Sequence, residues 1–231
     1  MKISIIIPAY NEEDRIGKTL DRIMKYLNKK RIPNEIIVVD DGSKDRTREV
    51  TRKFKGIILT PKRRNRGKGY SVKEGVLMSK GDYVLFTDSD LSTPIEELDR
   101  FVEEIKEFDI VIGSRALKES SVKSSWYKIL LGRIGNFFIS LLAVKGIKDT
   151  QCGFKLFRKE TAKKLFEKQK TDGFGFDFEI LYLAQKFGFL IKETPVKWVN
   201  SKESKVKAID YPKTLIELLK IKLNDVRRLY D

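Results

Sequence analysis

The chain contains no histidine and a single cysteine, Cys152. The first absence removes the imidazole base and every His-based metal site, so a bound cation would have to be held by oxygen ligands. The second rules out a disulfide within the chain and fits a reducing compartment. Long uncharged hydrophobic runs are missing too. The longest apolar segment, residues 126–144, is interrupted by Lys128, Gly132, Arg133, Gly135 and Asn136. A spanning helix needs about 20 nearly uncharged residues, so the expectation is a chain without a transmembrane anchor. Residues 1–7 meet Pro8 at once and lack both an h-region and a cleavage site, so they read as a first strand. Two phosphate-binding patterns are also missing. Without Gly-x-x-x-x-Gly-Lys-Ser/Thr, P-loop phosphoryl transfer is disfavoured. Without Gly-x-Gly-x-x-Gly after the first strand, so is a dinucleotide-binding dehydrogenase.

What is present is basic and periodic. The 231 residues suffice for one domain with a generous core, and the 41% hydrophobic content falls in regular blocks, which argues against disorder. The formal charge of +15 attracts polyanions: nucleic acid, anionic lipid or phosphorylated substrates. A Lys- and Glu-rich surface of thermophilic type explains the charge density but not its sign. The densest cluster is Lys62, Arg63, Arg64, Arg66 and Lys68, beside Gly67 and Gly69, and is expected near a phosphate. A nucleic-acid-binding module would bind with steep salt dependence. The chain has neither an RNA-binding aromatic motif nor a recognition helix, so nucleic acid is not the expected partner.

Strands are expected at residues 3–7, 35–40, 56–60, 83–86 and 109–113. Helices are expected at 14–30, 46–53, 69–80 and 95–107. Alternating apolar strands and amphipathic helices imply an α/β fold with a mostly parallel central sheet and helices on both faces. The second half reads as an amphipathic helix at 126–144, helices at 159–168 and 178–187, an extended segment at 192–199, and a basic amphipathic helix at 212–230. Residues 1–210 are read as one domain and 211–231 as a C-terminal helical extension.

Ligands of such sheets bind beyond the carboxyl ends of the strands. Three polar clusters fall there: Pro8-Ala9-Tyr10-Asn11-Glu12, Asp40-Asp41-Gly42-Ser43 and Asp88-Ser89-Asp90. In extended chain, residues two apart project to one side. Asp88 and Asp90 then repel unless a cation lies between them, and Mg2+ bridging carboxylates to substrate phosphates suits that arrangement. A carboxylate of Asp40 or Asp41 can accept from a base or ribose hydroxyl, or serve an Asp-Gly turn. Gly67-Lys68-Gly69 is a turn that can approach a phosphate closely.

These blocks occur in the order and spacing of family 2 glycosyltransferases with the GT-A fold, which the sequence resembles. Leu91-Ser92-Thr93-Pro94, Ile112-Gly113-Ser114-Arg115, Leu131-Gly132-Arg133, the run IKDTQCGFKLF at 147–157, Pro195-Val196-Lys197-Trp198-Val199 and Ser204-Lys205-Val206 resemble the dolichyl-phosphate β-glucosyltransferase branch. The resemblance covers nearly the whole chain. It implies metal-dependent, inverting transfer of glucose from UDP-glucose to a polyprenyl phosphate. A mannosyltransferase using GDP-mannose is the nearest alternative. Pro8, Tyr10, Glu12 and Asp40 match positions that hold uracil and ribose, and Asp41, Lys68 and Ser89 complete the donor-facing set. Asp88 would hold the sugar nucleotide, Asp90 together with Asp88 the Mg2+ or Mn2+, Arg115 and Arg133 the acceptor phosphate, and Gln151 the sugar pocket. Residues 1–115 would then be the donor half and 116–210 the acceptor half. Ser89 stands where the family usually has Ala, and the transmembrane segment of some relatives has no counterpart here. The resemblance therefore implies a cytoplasmic protein held peripherally on an anionic membrane surface. Helix 126–144 is read as interfacial or as a core helix, and helix 212–230 as a membrane contact or a site of self-association; a homo-oligomer or a membrane-anchored partner is the expected assembly. Transfer to a polysaccharide or protein would instead need a carboxylate base, for which Asp177 or Glu179 would serve.

Overall fold

The computed structural model describes residues 1–123, 135, 136, 139, 140, 142–199 and 210–231, with 210–212, 214 and 215 described by backbone alone. Arg133, the block 204–206 and most of the expected helix 126–144 lie outside the described residues.

Nine strands are described: β1 (Ile3–Ala9), β2 (Asn34–Asp40), β3 (Ile57–Pro61), β4 (Tyr83–Thr87), β5 (Ile110–Ser114), β6 (Ser121–Lys123), β7 (Phe154–Arg158), β8 (Ile191–Pro195) and β9 (Lys197–Val199). The helices are α1 (Ile16–Lys30), α2 (Thr47–Arg52), α3 (Lys68–Met78), α4 (Leu98–Glu104), α5 (Lys159–Lys168), α6 (Phe176–Lys186) and α7 (Asp210–Val226). A 3-10 turn, Ile95–Glu97, precedes α4. The expected single helix over 95–107 is thus split, and α6 begins two residues earlier than its periodicity suggested.

Seven strands form one sheet in the order β3-β2-β1-β4-β7-β5-β8, and β6 pairs with β9 apart from it. All neighbours in the large sheet run parallel except β7, which is antiparallel to both β4 and β5. The strands are apolar on both sides because both faces are covered. Ile3, Ile5, Ile7, Ile36, Val38 and Leu85 face the core formed with Ile16, Leu20 and Ile23 of α1 and Leu98 and Phe101 of α4. Ile6, Ile37, Val39, Val84 and Phe86 face the opposite core with Val72 and Val76 of α3, Leu165 of α5, Phe178 of α6 and Leu218 and Ile221 of α7. The C-terminal helix is therefore part of a main core and not an appendage. Edge-to-face rings tie the layers together, Phe86 on Phe176 at 5.5 Å and Phe101 on Phe154 at 5.0 Å.

Two features of the order position the site. The chain winds outward through β2 and β3 on one side of β1 and starts again with β4 on the other, so a crevice opens at the carboxyl ends of β1 and β4. The reversed strand β7 begins at that same edge, with Thr87 opposite Phe154. Its leading loop, residues 149–153, is thereby brought against Asp88. Strand β7 was not anticipated, because its second residue, Lys155, interrupts the apolar run.

Candidate active site

The crevice is built by loops that use their own carboxylates as scaffolding. Asp40 ends β2 fully buried, one oxygen 2.5 Å from Nε of Arg48 and the other accepting the Ser43 N–H at 3.3 Å. Asp41 accepts the N–H groups of Arg66 and Gly67, both at 2.8 Å. Burial pushes the Asp41 carboxyl up, although those two donors oppose it. Between these turns Gly42 sits at φ +81°, and a Cβ there would lie 2.6 Å from the Arg64 carbonyl carbon. The segment 64–67 is thus clasped by the Asp-Asp-Gly turn, which aims Lys68 into the crevice. Gly67 and Gly69 let this turn pass the backbone of Asp172 and Thr171, with Cβ approaches of 2.3 and 2.7 Å.

Of the five basic residues expected near a phosphate, Lys68 is placed at the acidic pair. Its Nζ lies 2.8 Å from Oδ1 of Asp88. Burial acts to lower the ammonium pKa, but Asp88, Asp177 and Asp90 outweigh it and raise the group. Lys62 pairs with Glu74, and the Arg66 guanidinium stacks 3.6 Å above the Tyr70 ring.

Asp90 accepts the Ser92 N–H at 2.9 Å, and its other oxygen lies 4.0 Å from Nη1 of Arg15. Arg15 is itself held 2.6 Å from Glu12. Burial raises the Asp90 carboxyl, and the Asp88 charge raises it further. The fold thus sets the Asp88 charge where it opposes ionisation of Asp90. Among the described residues, no three acidic or Cys side chains gather as a closed metal site. Two hard oxygen donors, with Lys68 against Asp88 and Arg15 near Asp90 offsetting part of their repulsion, suit a divalent cation whose remaining ligands come from a diphosphate. Ser89 contributes through its backbone, its carbonyl accepting from the buried Thr19 hydroxyl at 2.6 Å.

The reversed loop closes the opposite wall. Gly153 approaches so closely that a Cβ would stand 1.9 Å from Oδ2 of Asp88. Asp149 grips Arg115 in a fork, Nε to Oδ2 at 2.7 Å and Nη2 to Oδ1 at 2.8 Å, and also accepts the Arg115 backbone N–H at 2.9 Å. Burial would raise the Asp149 carboxyl, but the guanidinium holds it below the ordinary range. The Trp198 ring lies 5.4 Å from that guanidinium. The Gln151 N–H donates to Asp149 at 3.3 Å, which sets Gln151 in the same turn. Lys155, fully buried under the loop, donates to the Cys152 carbonyl at 2.7 Å and pairs with Asp177. The Asn11 N–H donates to the Ser43 hydroxyl at 2.9 Å and the Glu12 N–H to the Thr47 hydroxyl at 2.7 Å, so the segment after β1 is fixed to the turn after β2. Pro8 pairs with Val39 in that strand pair, and Tyr10 follows it.

Asp177 and Glu179, the base candidates for a sugar or protein acceptor, are both sealed in. Asp177 is spent on Lys155. Glu179 accepts from the N–H groups of Lys170 and Thr171 at 3.1 and 2.8 Å and from the Tyr230 hydroxyl at 2.5 Å. Neither reaches the crevice as a free base. Gly153, Lys155, Asp149 and Arg15 escaped the sequence reading, because their roles depend on the reversed strand and on contacts between distant segments.

A sheet of this order with an Asp-x-Asp pair at its switch point defines a nucleotide-sugar transferase architecture of GT-A type. Residues 4–166 match the family described as Glycosyl transferase family 2, and the chain belongs to that family. It is 41% identical over 224 residues to "Dolichyl-phosphate beta-glucosyltransferase" of Dictyostelium discoideum, which spans 88% of this chain and 68% of the relative. The protein of the same description from Homo sapiens is 38% identical over 89% of this chain and 69% of its own length. In structure the chain resembles glucosyl-3-phosphoglycerate synthase from Mycobacterium tuberculosis in complex with Mn2+, uridine diphosphate and phosphoglyceric acid. The TM-score is 0.74 at 18% identity, covering 96% of this chain and 78% of that one. Mannosyl-3-phosphoglycerate synthase from Rubrobacter xylanophilus superposes with a TM-score of 0.67 at 17% identity, covering 99% of this chain and 75% of that one. The chain is thus a glycosyltransferase, and its fold is that of these enzymes.

Proposed function

We propose that the protein transfers glucose from UDP-glucose to a polyprenyl phosphate, dolichyl phosphate or a relative of it, with inversion, at the cytoplasmic face of a membrane. The observation that carries the reading is the repelling pair Asp88 and Asp90 facing Lys68 in the switch-point crevice. The relatives named above support the acceptor and the sugar, and the Mn2+ and uridine diphosphate of the structural neighbour support the donor class.

A Mg2+ or Mn2+ held by Asp88 and Asp90 would act as a Lewis acid on the leaving diphosphate. Lys68, kept charged by its acidic neighbours, adds a fixed positive charge beside the same phosphates. Pro8, Tyr10 and Glu12 receive the nucleoside beside the Asp40–Asp41 turn, whose carboxylates are taken up by Arg48, Ser43 and the Arg66 and Gly67 N–H groups, and Ser89 and Gln151 flank the sugar. Arg115 orients the acceptor phosphate with the N–H groups that Asp149 leaves unused; Arg133, outside the described residues, is assigned to the same phosphate by its motif alone. A phosphate monoester has its second pKa at about 6 and is largely dianionic at neutral pH. Its oxygen can attack the anomeric carbon without a protein base while the C1–O bond to UDP breaks and UDP departs with that electron pair. The sealed Asp177 and Glu179 agree with a site that needs no base.

The test is a donor screen with Mg2+ or Mn2+, following UDP or GDP release in the presence of dolichyl phosphate. UDP release that depends on both the cation and the lipid phosphate is expected. Release of GDP from GDP-mannose instead would establish the mannosyl reading, and full activity without lipid phosphate would overturn the acceptor.

A further inference from the structure

Helix α7 seats one face in the core through Leu218 and Ile221 and leaves another bare. Ile216, Leu219, Leu223 and Val226 are 52%, 58%, 46% and 79% exposed, and Leu229 just beyond them is 48% exposed. Their spacing of three and four residues places the first four on a single stripe. At the helical period, Lys220 and Arg227 border that stripe on one side, both exposed, and Lys222 borders the other with its Nζ 4.9 Å from the Tyr182 ring. Arg227 continues the helix, its N–H donating to the Leu223 carbonyl at 3.0 Å. The helix's described acidic side chains are turned away and occupied. Glu217 accepts the Gly175 N–H at 2.7 Å, and Asp225 accepts from the Tyr182 hydroxyl at 2.5 Å and from Lys186 at 2.6 Å. Among the described side chains, an apolar stripe bordered by cations is thus presented outward.

We propose that this face of α7 docks on an anionic bilayer, with the stripe in the headgroup–acyl boundary and the bordering cations on lipid phosphates. The partner follows from charge. A second copy meeting this face about a two-fold axis would bring Lys220, Lys222 and Arg227 towards their own counterparts, with no acid on the stripe to separate them. An anionic leaflet offers the opposite charge to each of them and accepts the apolar side chains. The inference deepens the lipid-acceptor reading and rests on it for its purpose, since a membrane-embedded phosphate must be met at the bilayer surface. No helix among the described residues is long and apolar enough to cross a membrane.

The experiment is co-sedimentation of the purified chain with phosphatidylcholine vesicles, with and without phosphatidylserine, and without any polyprenyl phosphate. Wild type is expected to pellet with the anionic vesicles. Leu219→Ser/Leu223→Ser and, separately, Lys220→Glu/Arg227→Glu are each expected to weaken partitioning roughly tenfold or more. Transfer to a short-chain, water-soluble polyprenyl phosphate should be unchanged in both variants. The charge pair lies wholly on the surface, so it tests the docking even if the serine pair misfolds. Equal pelleting of wild type and the charge variant overturns the proposal, as does failure of wild type to pellet. So does a wild-type dimer in solution that the same substitutions dissolve. Vesicle binding lost in the variants while wild type transfers nothing to the soluble phosphate supports the docking and refutes the acceptor assignment alone.

Discussion

Gly153→Ala tests the geometry of the site with a single methyl group. The added Cβ would stand 1.9 Å from Oδ2 and 2.5 Å from Cγ of Asp88. Cβ contacts below 3.0 Å are essentially never seen, so the oxygen must retreat by about 1.1 Å. That movement drags Asp88 from Lys68, now 2.8 Å away, and from the point it shares with Asp90. Misplacing a reacting group by about 1 Å can cost roughly 10²-fold in rate, or about 2.7 kcal/mol of transition-state stabilisation. The backbone at Gly153 has no positive φ, so alanine itself is unstrained there. The thermal midpoint should therefore change little while kcat/KM for the sugar nucleotide falls about 100-fold. Steady-state kinetics beside a melting curve separates the two effects. Wild-type kinetics in a variant that folds normally would show that the Asp88 carboxylate need not stay where the loop pins it, and the site as described would be wrong.

Asp90→Asn should abolish turnover. The fold opposes ionisation of Asp90, so the metal-free folded state holds its proton above the ordinary carboxylate pKa, and wild-type stability falls as pH rises through that window. The midpoint of metal-free Asp90→Asn should accordingly gain on wild type as pH rises above the ordinary carboxylate range, from about pH 4 upward. A gap that narrows with pH refutes the sign. Lys155→Met should leave Asp177 buried without its cation and cost about 3–5 kcal/mol in denaturant melts, with Lys155→Met/Asp177→Leu recovering most of the loss. Cys152 is fully buried, and burial pushes its thiol up to about 11. It should resist thiol reagents in the native protein and react once urea unfolds the chain; rapid native labelling would contradict the packing of the 149–153 loop.

How much was legible divides by range. Strands β1, β2 and β4 are visible because parallel strands buried on both faces are continuous β-branched or aromatic runs, and the polar residues ending them had to lie on one edge. Asp88 and Asp90 follow from that rule, and Lys68, expected near a phosphate from its basic glycine-flanked cluster, meets Asp88. The role of Asp41 does not. Its spacing fits a ligand contact or a turn equally well, and the structure uses its carboxylate to hold the N–H groups of Arg66 and Gly67. Strand β7 was hidden for a tertiary reason. Lys155 breaks its apolar pattern and is admitted to the core because Asp177, 22 residues later, neutralises it. The expected helix 95–107 opens instead as a 3-10 turn, Ile95–Glu97, directly after Pro94, a boundary that its periodicity does not show.

If Arg115 receives the acceptor phosphate as proposed, its pairing with Asp149 limits how it can do so. Two edges of the guanidinium fork are already committed to the carboxylate, and the pair carries no net charge. Arg115 therefore adds little long-range attraction for a dianion, and its contribution must be directional. A guanidinium has five N–H donors, of which Asp149 takes two, so the rest can meet a phosphate at a fixed angle. An ammonium at that place keeps the charge but has no such fork, and it would have to choose between Asp149 and the acceptor. Arg115→Lys should consequently raise KM for the lipid phosphate and lower kcat, together about 10²-fold in kcat/KM, with the KM for donor unchanged. If lysine sustains full acceptor use, charge alone suffices at this position and orientation by the fork is not what Asp149 provides.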